Sequence, residues 1–378
     1  MKRLAILGST GSIGRQTLEI VRAFPERFKV VALACEKNAT LLRDQVAEFR
    51  PKFVYCKAFN HNDRIGAANF LPLQEIACHP DVDLLVVATS GKAGLVPTLA
   101  AIGCRKNIAL ANKEVLVMAG ELVMARARQY EANIVPVDSE HSAIWQCLRG
   151  ENRREISKLI LTASGGPFRL LPLSELLTVT PGQALSHPTW QMGTKVTIDS
   201  ATLTNKGMEI IEAHWLFDVP FSQIEVVIHP QSVIHSIVEF IDGSSKAQLS
   251  MPDMRIPIQY ALSYPERWQG QQPSALDYVK LGSLKFEAVD YNRFPCLTLA
   301  REAGIKGGTY PAVLSAADEV AIELFLNKRI RFPDIPTLIA AALDGHRVTY
   351  HPSLEDIFAA DEWAREMVTS RFQDRAWL

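Results

Sequence analysis

Three carboxylates, a lysine and several small hydroxyls stand at spacings that could hold an anion beside a cation. In "DSATLTNKGMEIIEAHW" (199–215), Ser200, Asn205 and Lys206 lead into a helical pattern. Glu209 follows Lys206 by three residues, on the same helix face one turn on. Backbone N–H groups at a helix start attract anions. A phosphate here would be held by a charge-assisted bond from Lys206 and by neutral donors from Ser200 and Asn205. "TASGGPF" (162–168) offers a second donor set, Ser164 with two glycines.

"PVDSEHSAIW" (136–145) follows a strand-like run. If it stays extended, Asp138 and Glu140 point to one side. Two carboxylates on one face suit a hard divalent cation with oxygen ligands. The alternative is a solvated turn in which Asp138 caps the next helix. Glu209 weighs towards the cation, because a phosphorylated substrate that also chelates a metal needs both sites. "SHPTWQMG" (186–193) holds His187, Trp190 and Met192. Trp190 is either core packing or part of a mobile lid that excludes water. His229 and His235 in "HPQSVIHS" are each structural or functional. Their spacing is not that of a zinc site, and no cysteine accompanies them.

The elements that must position these residues read in three parts. "RLAIL" ends in "GSTGSIG", and a helical pattern follows: strand, glycine turn, helix. Strand-like runs "FKVVALA", "FVYC", "DLLVVAT", "NIALA" and "NIVPV" alternate with helical patterns, which predicts an α/β fold with an N-terminal Rossmann-type doubly wound parallel sheet over 1–138. Gly8 and Gly11 would let the backbone approach a phosphate, and Gly14 would let the helix pack on the strand. At the second strand's end, "CEKN" is divided. Glu36 suits the ribose hydroxyls of NAD, while Lys37 and Asn38 suit the 2′-phosphate of NADP.

A central α+β catalytic domain over 139–265 follows, with 186–193 as its flexible loop. "SKLILTAS" and "KVTID" read as strands, and "IEVVIHP", "VIHSIVEFIDG" and "SKAQLSM" as antiparallel strands. Residues 266–290 read as a linker and 291–378 as a C-terminal helical bundle.

The 378 residues include 40 basic and 41 acidic side chains, a formal charge of −1. No global field therefore draws nucleic acid or an anionic membrane, and any anion site is local. The apolar runs fall short of the roughly 18 residues that span a bilayer. The basic, apolar start breaks into glycines too early for a signal peptide. The six cysteines, at 35, 56, 78, 104, 147 and 296, include no CxxC pair. They read as reduced thiols, not a disulfide frame, which leads to an expected cytoplasmic location.

The motifs "GSTGSIG", "ANKE", "VDSEHSA", "SGGPF", the block 186–217, "HPQSVIHS" and "MPDMR", in this order, resemble the 1-deoxy-D-xylulose 5-phosphate reductoisomerase family over essentially the whole chain. The resemblance implies rearrangement of 1-deoxy-D-xylulose 5-phosphate and its reduction by NADPH to 2-C-methyl-D-erythritol 4-phosphate, an early step of non-mevalonate isoprenoid synthesis. It also implies a homodimer requiring Mg²⁺, Mn²⁺ or Co²⁺. By resemblance, Asp138, Glu140 and Glu209 are metal ligands. Ser164, Ser200, Asn205 and Lys206 surround the substrate phosphate, with His187 nearby. Lys113 and Ser139 contact the substrate near the reacting carbons, and His235 lies close to it. Thr10, Gly11, Ser12, Ile13, Lys37, Asn38, Asn112, Glu114 and Gly193 contact NADPH. Trp190 belongs to the lid and Met192 packs on the nicotinamide. Lys113, Glu140, Glu209 and His187 form the catalytic set. The chain departs from the family pattern at Glu36, where glycine is usual. It departs again at Asp318 in "AADE", where asparagine is usual and an effect on packing alone is expected.

Two rival readings are another Rossmann dehydrogenase and a non-enzymatic nucleotide sensor. The first would not need three carboxylates beside a phosphate pocket. The second would tolerate their loss.

Overall fold

The computed structural model describes residues 1–59, 65–186, 190, 192–269 and 275–373. In chain order the first elements are β1 (Lys2–Leu7), α1 (Ser12–Ala23), β2 (Phe28–Cys35), α2 (Ala39–Phe49), β3 (Phe53–Cys56), β4 (Asn69–Phe70) and α3 (Leu73–Cys78). Then come β5 (Leu84–Val87), α4 (Leu95–Gly103), β6 (Asn107–Leu110), α5 (Glu114–Tyr130), β7 (Ile134–Pro136) and α6 (Ser139–Cys147). β8 (Ile156–Ala163), α7 (Pro181–Ala184), α8 (Thr194–Thr202), α9 (Thr204–Phe217), β9 (Ile224–Ile228), β10 (Ile234–Phe240) and β11 (Ser245–Leu249) follow. The chain closes with α10 (Arg255–Ser263), α11 (Tyr278–Leu281), α12 (Pro295–Lys306), α13 (Tyr310–Leu326), α14 (Asp334–Gly345) and α15 (Leu354–Gln373).

The chain divides into two compact units. One holds Met1–Val115, Val123–Trp145 and the stretch from Asp253 that carries α10. The other holds Leu116–Leu122, Gln146–Pro252 and the stretch from Ala275 onward. These units do not follow the consecutive boundaries at 138, 265 and 290. The reason is packing: Ile258, Ala261 and Leu262 of α10 join the core of Leu4, Leu18, Leu33 and Leu42. Trp268, within the expected linker, also packs there, 5.3 Å from Phe24 and 5.4 Å from Phe28 between ring centroids.

The first unit is a parallel seven-stranded sheet in the order β4-β3-β2-β1-β5-β6-β7. Its strands are buried on both faces, so they read as unbroken apolar runs. The winding reverses between β1 and β5, and the crevice at the strands' carboxyl ends there is where doubly wound sheets take ligands.

The second unit builds a four-stranded sheet, β11-β10-β8-β9, and a helical core that joins α8 and α9 to α12–α15. Two strand readings change. β9 runs parallel to β8, because α7–α9 form the crossover between them. "KVTID" lies in α8, not in a strand. Gly193 opens that helix, and the i,i+4 pair Lys195–Asp199 supports it over the β preference of Val196, Thr197 and Ile198.

One cysteine reading is also corrected. Cys78, which ends α3, and Cys104, which caps α4, are paired as a disulfide with Cα atoms 5.5 Å apart. Their separation of 26 residues gives no local motif. It is the packing of α3 beside α4 that brings them together. The other four cysteines are free and buried. Among the described residues no helix is long and apolar enough to cross a membrane.

Candidate active site

In the first unit, the turn after β1 is built for close approach. Gly8 has φ +86°, and a Cβ there would lie 2.3 Å from the Ala88 carbonyl oxygen at the end of β5. Gly14 packs α1 onto the turn, since its Cβ would lie 2.2 Å from the Gly8 oxygen. The helix start is capped by Gly11, with no side chain bonded to its N–H groups. Thr10, Ser12 and Ile13 are half-buried around it and Gly11 is exposed. A residue missed from the sequence fixes the turn: buried Gln45 of α2 donates to the Ser9 carbonyl at 2.9 Å and accepts from the Ser9 hydroxyl at 2.8 Å. The signal was a long polar side chain on the apolar face of a helix.

The end of β2 lies beside the end of β3, with Cys35 opposite Cys56. Glu36, Lys37 and Asn38 are exposed there. Asn38 caps α2, its Oδ1 accepting from the Leu41 N–H at 3.1 Å. Glu36 has a partner the sequence did not show: the Lys57 ammonium, 3.4 Å away. Asn112 is buried and spends its side chain internally. It donates to Thr89 Oγ1 at 3.1 Å and to the Gly91 carbonyl at 2.9 Å, and accepts from the Val115 N–H at 3.2 Å. It therefore ties the β5 and β6 loops together. Glu114 is buried at the start of α5.

Asp138 and Glu140 are not on an extended segment. α6 begins at Ser139, and the Asp138 carbonyl accepts from the Ser142 N–H at 2.8 Å. Asp138 takes the N-cap place through its carbonyl, which accepts the first helical bond, while Oδ1 accepts from the adjacent Ser139 N–H at 2.9 Å. Both carboxylates thus sit at the positive end of a helix. Lys113 lies 2.5 Å from Asp138 Oδ2, and the Ser139 hydroxyl donates to Glu140 Oε2 at 2.7 Å. Lys113, Asp138, Ser139 and Glu140 form one cluster.

In the second unit, α8 and α9 are joined at Leu203, whose φ of +59° turns the chain. Ser200 lies in the last turn of α8, and Asn205 and Lys206 lie in the first turn of α9. Glu209 accepts from Asn205 Nδ2 at 2.5 Å and from Lys206 Nζ at 2.5 Å. Lys206 and Glu209 are both buried, so the pair neutralises itself. The "SGG" loop lies on the end of α8. A Cβ on Gly166, φ +67°, would be 2.6 Å from the Ser200 carbonyl oxygen, and the Gly166 N–H donates to Ser164 Oγ at 3.2 Å. Ser164, Ser200, Asn205, Lys206 and Glu209 are thus assembled from three elements of one unit.

His235 is buried, with Nε2 2.9 Å from Ser250 Oγ, and burial first of all lowers its pKa to about 4. It is a neutral imidazole at neutral pH. The Trp190 ring lies 6.0 Å from it. His229 is structural: Nδ1 donates to the Lys285 carbonyl at 2.8 Å, and the ring stacks on Phe286. Gly193 is the exposed N-cap of α8, and Met192 is half-buried before it. His187 lies outside the described residues. Asp318 does more than pack, because its carboxylate pairs with Lys195 at 2.9 Å.

Three family models match the chain. They are 1-deoxy-D-xylulose 5-phosphate reductoisomerase over 4–120, the C-terminal domain of that enzyme over 134–217, and DXP reductoisomerase C-terminal domain over 249–367. A 1-deoxy-D-xylulose 5-phosphate reductoisomerase of Pelotomaculum thermopropionicum is 52% identical over 385 aligned residues, covering 99% of both chains. One from Caldanaerobacter subterraneus is also 52% identical, covering 98% of this chain and all of the relative. A crystal structure of DOX-P reductoisomerase with NADPH, fosmidomycin and magnesium superposes with a TM-score of 0.94 at 41% identity, covering 99% of this chain and 98% of that one. The Zymomonas mobilis enzyme in complex with NADPH gives 0.91 at 42% identity, covering 98% and 99%. With its glycine turn, helix-borne carboxylates and α8–α9 anion cluster, the chain belongs to the 1-deoxy-D-xylulose 5-phosphate reductoisomerase family.

Proposed function

We propose that the chain converts 1-deoxy-D-xylulose 5-phosphate to 2-C-methyl-D-erythritol 4-phosphate, with NADPH as reductant and Mg²⁺ as the divalent cation, in the non-mevalonate route to isoprenoids. The observation that carries this is the α8–α9 cluster, in which Lys206 and Asn205 are buried or half-buried at a helix start against Glu209. A plain hydroxy-acid dehydrogenase would have no use for it.

The residues fit both groups. Asp138, Glu140 and Glu209 offer the hard carboxylate oxygens that Mg²⁺ prefers, and they would hold it. The glycine turn and the start of α1, where Gly11 caps without a side chain, suit a pyrophosphate. Thr10, Gly11, Ser12 and Ile13 would line that part of NADPH, and Lys37 and Asn38 its 2′-phosphate. Asn112, Glu114, Met192 and Gly193 would line the remainder. When bound, the cation supplies Lewis-acid polarisation of the substrate carbonyl and the reduced nicotinamide supplies hydride.

The protein's own part is binding and orientation. Lys206, Asn205, Ser200 and Ser164 hold the substrate phosphate, and that remote binding energy fixes the reacting end. The Lys113 ammonium, 2.5 Å from Asp138 Oδ2, donates to a substrate oxygen, and Ser139 and Glu140 bind neighbouring hydroxyls. His235 in its neutral form is a hydrogen-bond partner, not a cation. Trp190, with His187 in the same loop, covers the substrate and excludes water. On this reading the enzyme works as a homodimer in the cytoplasm and accepts Mn²⁺ or Co²⁺ in place of Mg²⁺.

The test is product identification after incubation with NADPH, Mg²⁺ and the substrate. A branched methylerythritol phosphate is expected. A reduced but unrearranged sugar phosphate would overturn the assignment.

A further inference from the structure

A second carboxylate pair, as fully buried as Glu209, has no part in the chemistry above. Asp199 of α8 is 1% exposed and Asp318 of α13 is 0% exposed. The Lys195 ammonium reaches both, 2.8 Å from Asp199 Oδ2 and 2.9 Å from Asp318 Oδ2. Among the described residues, no donor meets Asp199 Oδ1 or Asp318 Oδ1. The titratable groups that bear on the pair are Lys195 and the Cys296 thiol of α12, which burial pushes up to about 12 and keeps neutral. From α9 the Thr204 hydroxyl faces Cys296, and the Met208 sulfur lies 3.9 Å from Lys195 Nζ.

Charge balance then decides the state. Two carboxylates and one ammonium would leave one uncompensated negative charge in the core, which is costly. One added proton makes the set neutral and fills an oxygen that otherwise has no partner. Burial, and after it the charge of Asp318, hold the Asp199 carboxyl well above the usual carboxylate range.

The pair sits under the phosphate residues. Asp199 immediately precedes Ser200, and α8 ends three residues on at Thr202. Thr202 Oγ1 and Thr204 Oγ1 bond at 2.7 Å across the Leu203 turn, which leads into Asn205 and Lys206.

We propose that Asp199 and Asp318 hold one proton between them beside Lys195, and that this proton fixes α8 and the Leu203 turn where Ser200, Asn205 and Lys206 grip the substrate phosphate. These two aspartates are positioning residues, and the proposal rests on the phosphate reading given above.

The signs follow from linkage. An acid whose pKa is raised by folding contributes stability that is lost as pH rises towards its folded-state pKa. In the wild type, raising pH from slightly acid to alkaline should lower the thermal unfolding midpoint. It should also raise KM for the sugar phosphate at least about fivefold, with kcat at saturation less affected. Asp318→Asn keeps a donor and removes the second charge, so both dependences should flatten. Asp199→Asn should act in the same direction and serves if the first variant does not fold. Parallel wild-type and variant profiles in both measurements would overturn the shared proton. A flattened midpoint with an unflattened KM would overturn the positioning role. Failure of the phosphate reading shows separately, as a KM that Lys206→Ala leaves unchanged at every pH.

Discussion

The Lys206 ammonium lies 2.5 Å from Glu209 Oε2 one helical turn away, with the two residues 4% and 1% exposed. Each is the other's counter-charge, so removing either leaves a charge buried without its partner. The same carboxylate is assigned to the cation and the same ammonium to the phosphate, which makes this pair a link between the two subsites.

Glu209→Gln should nearly abolish turnover and lower stability by about 3 kcal/mol, towards the lower end for breaking a buried pair, since the amide can still meet Asn205. NADPH binding, which depends on the glycine turn, should persist. Fluorescence titration of NADPH and steady-state kinetics on the same sample check this. Near-normal turnover at saturating Mg²⁺ would remove Glu209 from the metal site.

Lys206→Ala should raise KM for the sugar phosphate by about one to two decades, the equivalent of roughly 1.5–3 kcal/mol for a charge-assisted contact. Lys37→Ala should act on KM for NADPH instead. If the unphosphorylated sugar reacts as well as the phosphate ester, the anion pocket has been misread.

Cofactor choice turns on Glu36, which the structure pairs with Lys57 at 3.4 Å. An exposed pair of this kind is worth no more than about 1 kcal/mol. Glu36→Gly removes a negative charge and frees Lys57, so the ratio of kcat/KM for NADPH over NADH should rise by up to about fivefold. An unchanged ratio would mean that Glu36 faces away from the ribose.

His235 gives a pH signature in stability. Its pKa falls from 6.5 to about 4 on folding, so it stays neutral in the folded protein. The stability this contributes is present above 6.5 and is lost as pH falls through 4. The loss is on the order of 3 kcal/mol. His235→Gln should unfold less steeply with acid over that window. Parallel acid-denaturation curves would show that the imidazole is solvated, not buried.

Local signals carried much of this into the sequence. Apolar runs alternating with helical patterns marked the parallel strands, and the order of Ser200, Asn205, Lys206 and Glu209 marked the helix start. What stayed hidden was long-range. Lys57 meets Glu36 only because β3 lies beside β2. Lys195 meets Asp318 across 123 residues of chain because α8 packs on α13. The Cys78–Cys104 bridge depends likewise on α3 beside α4. At Asp138 the sequence left two local readings open, extended run or helix cap, and α6 starts at Ser139 with the Asp138 carbonyl accepting its first bond.

The central claim is that a divalent cation and a phosphate anchor serve one NADPH-dependent reaction. The most direct measurement is NADPH oxidation on adding 1-deoxy-D-xylulose 5-phosphate to chelator-treated protein, with and without Mg²⁺. Substrate-dependent oxidation that appears only with Mg²⁺, and that Glu209→Gln does not recover, is the predicted result. Oxidation at the same rate without the cation, or none in its presence, would contradict the account.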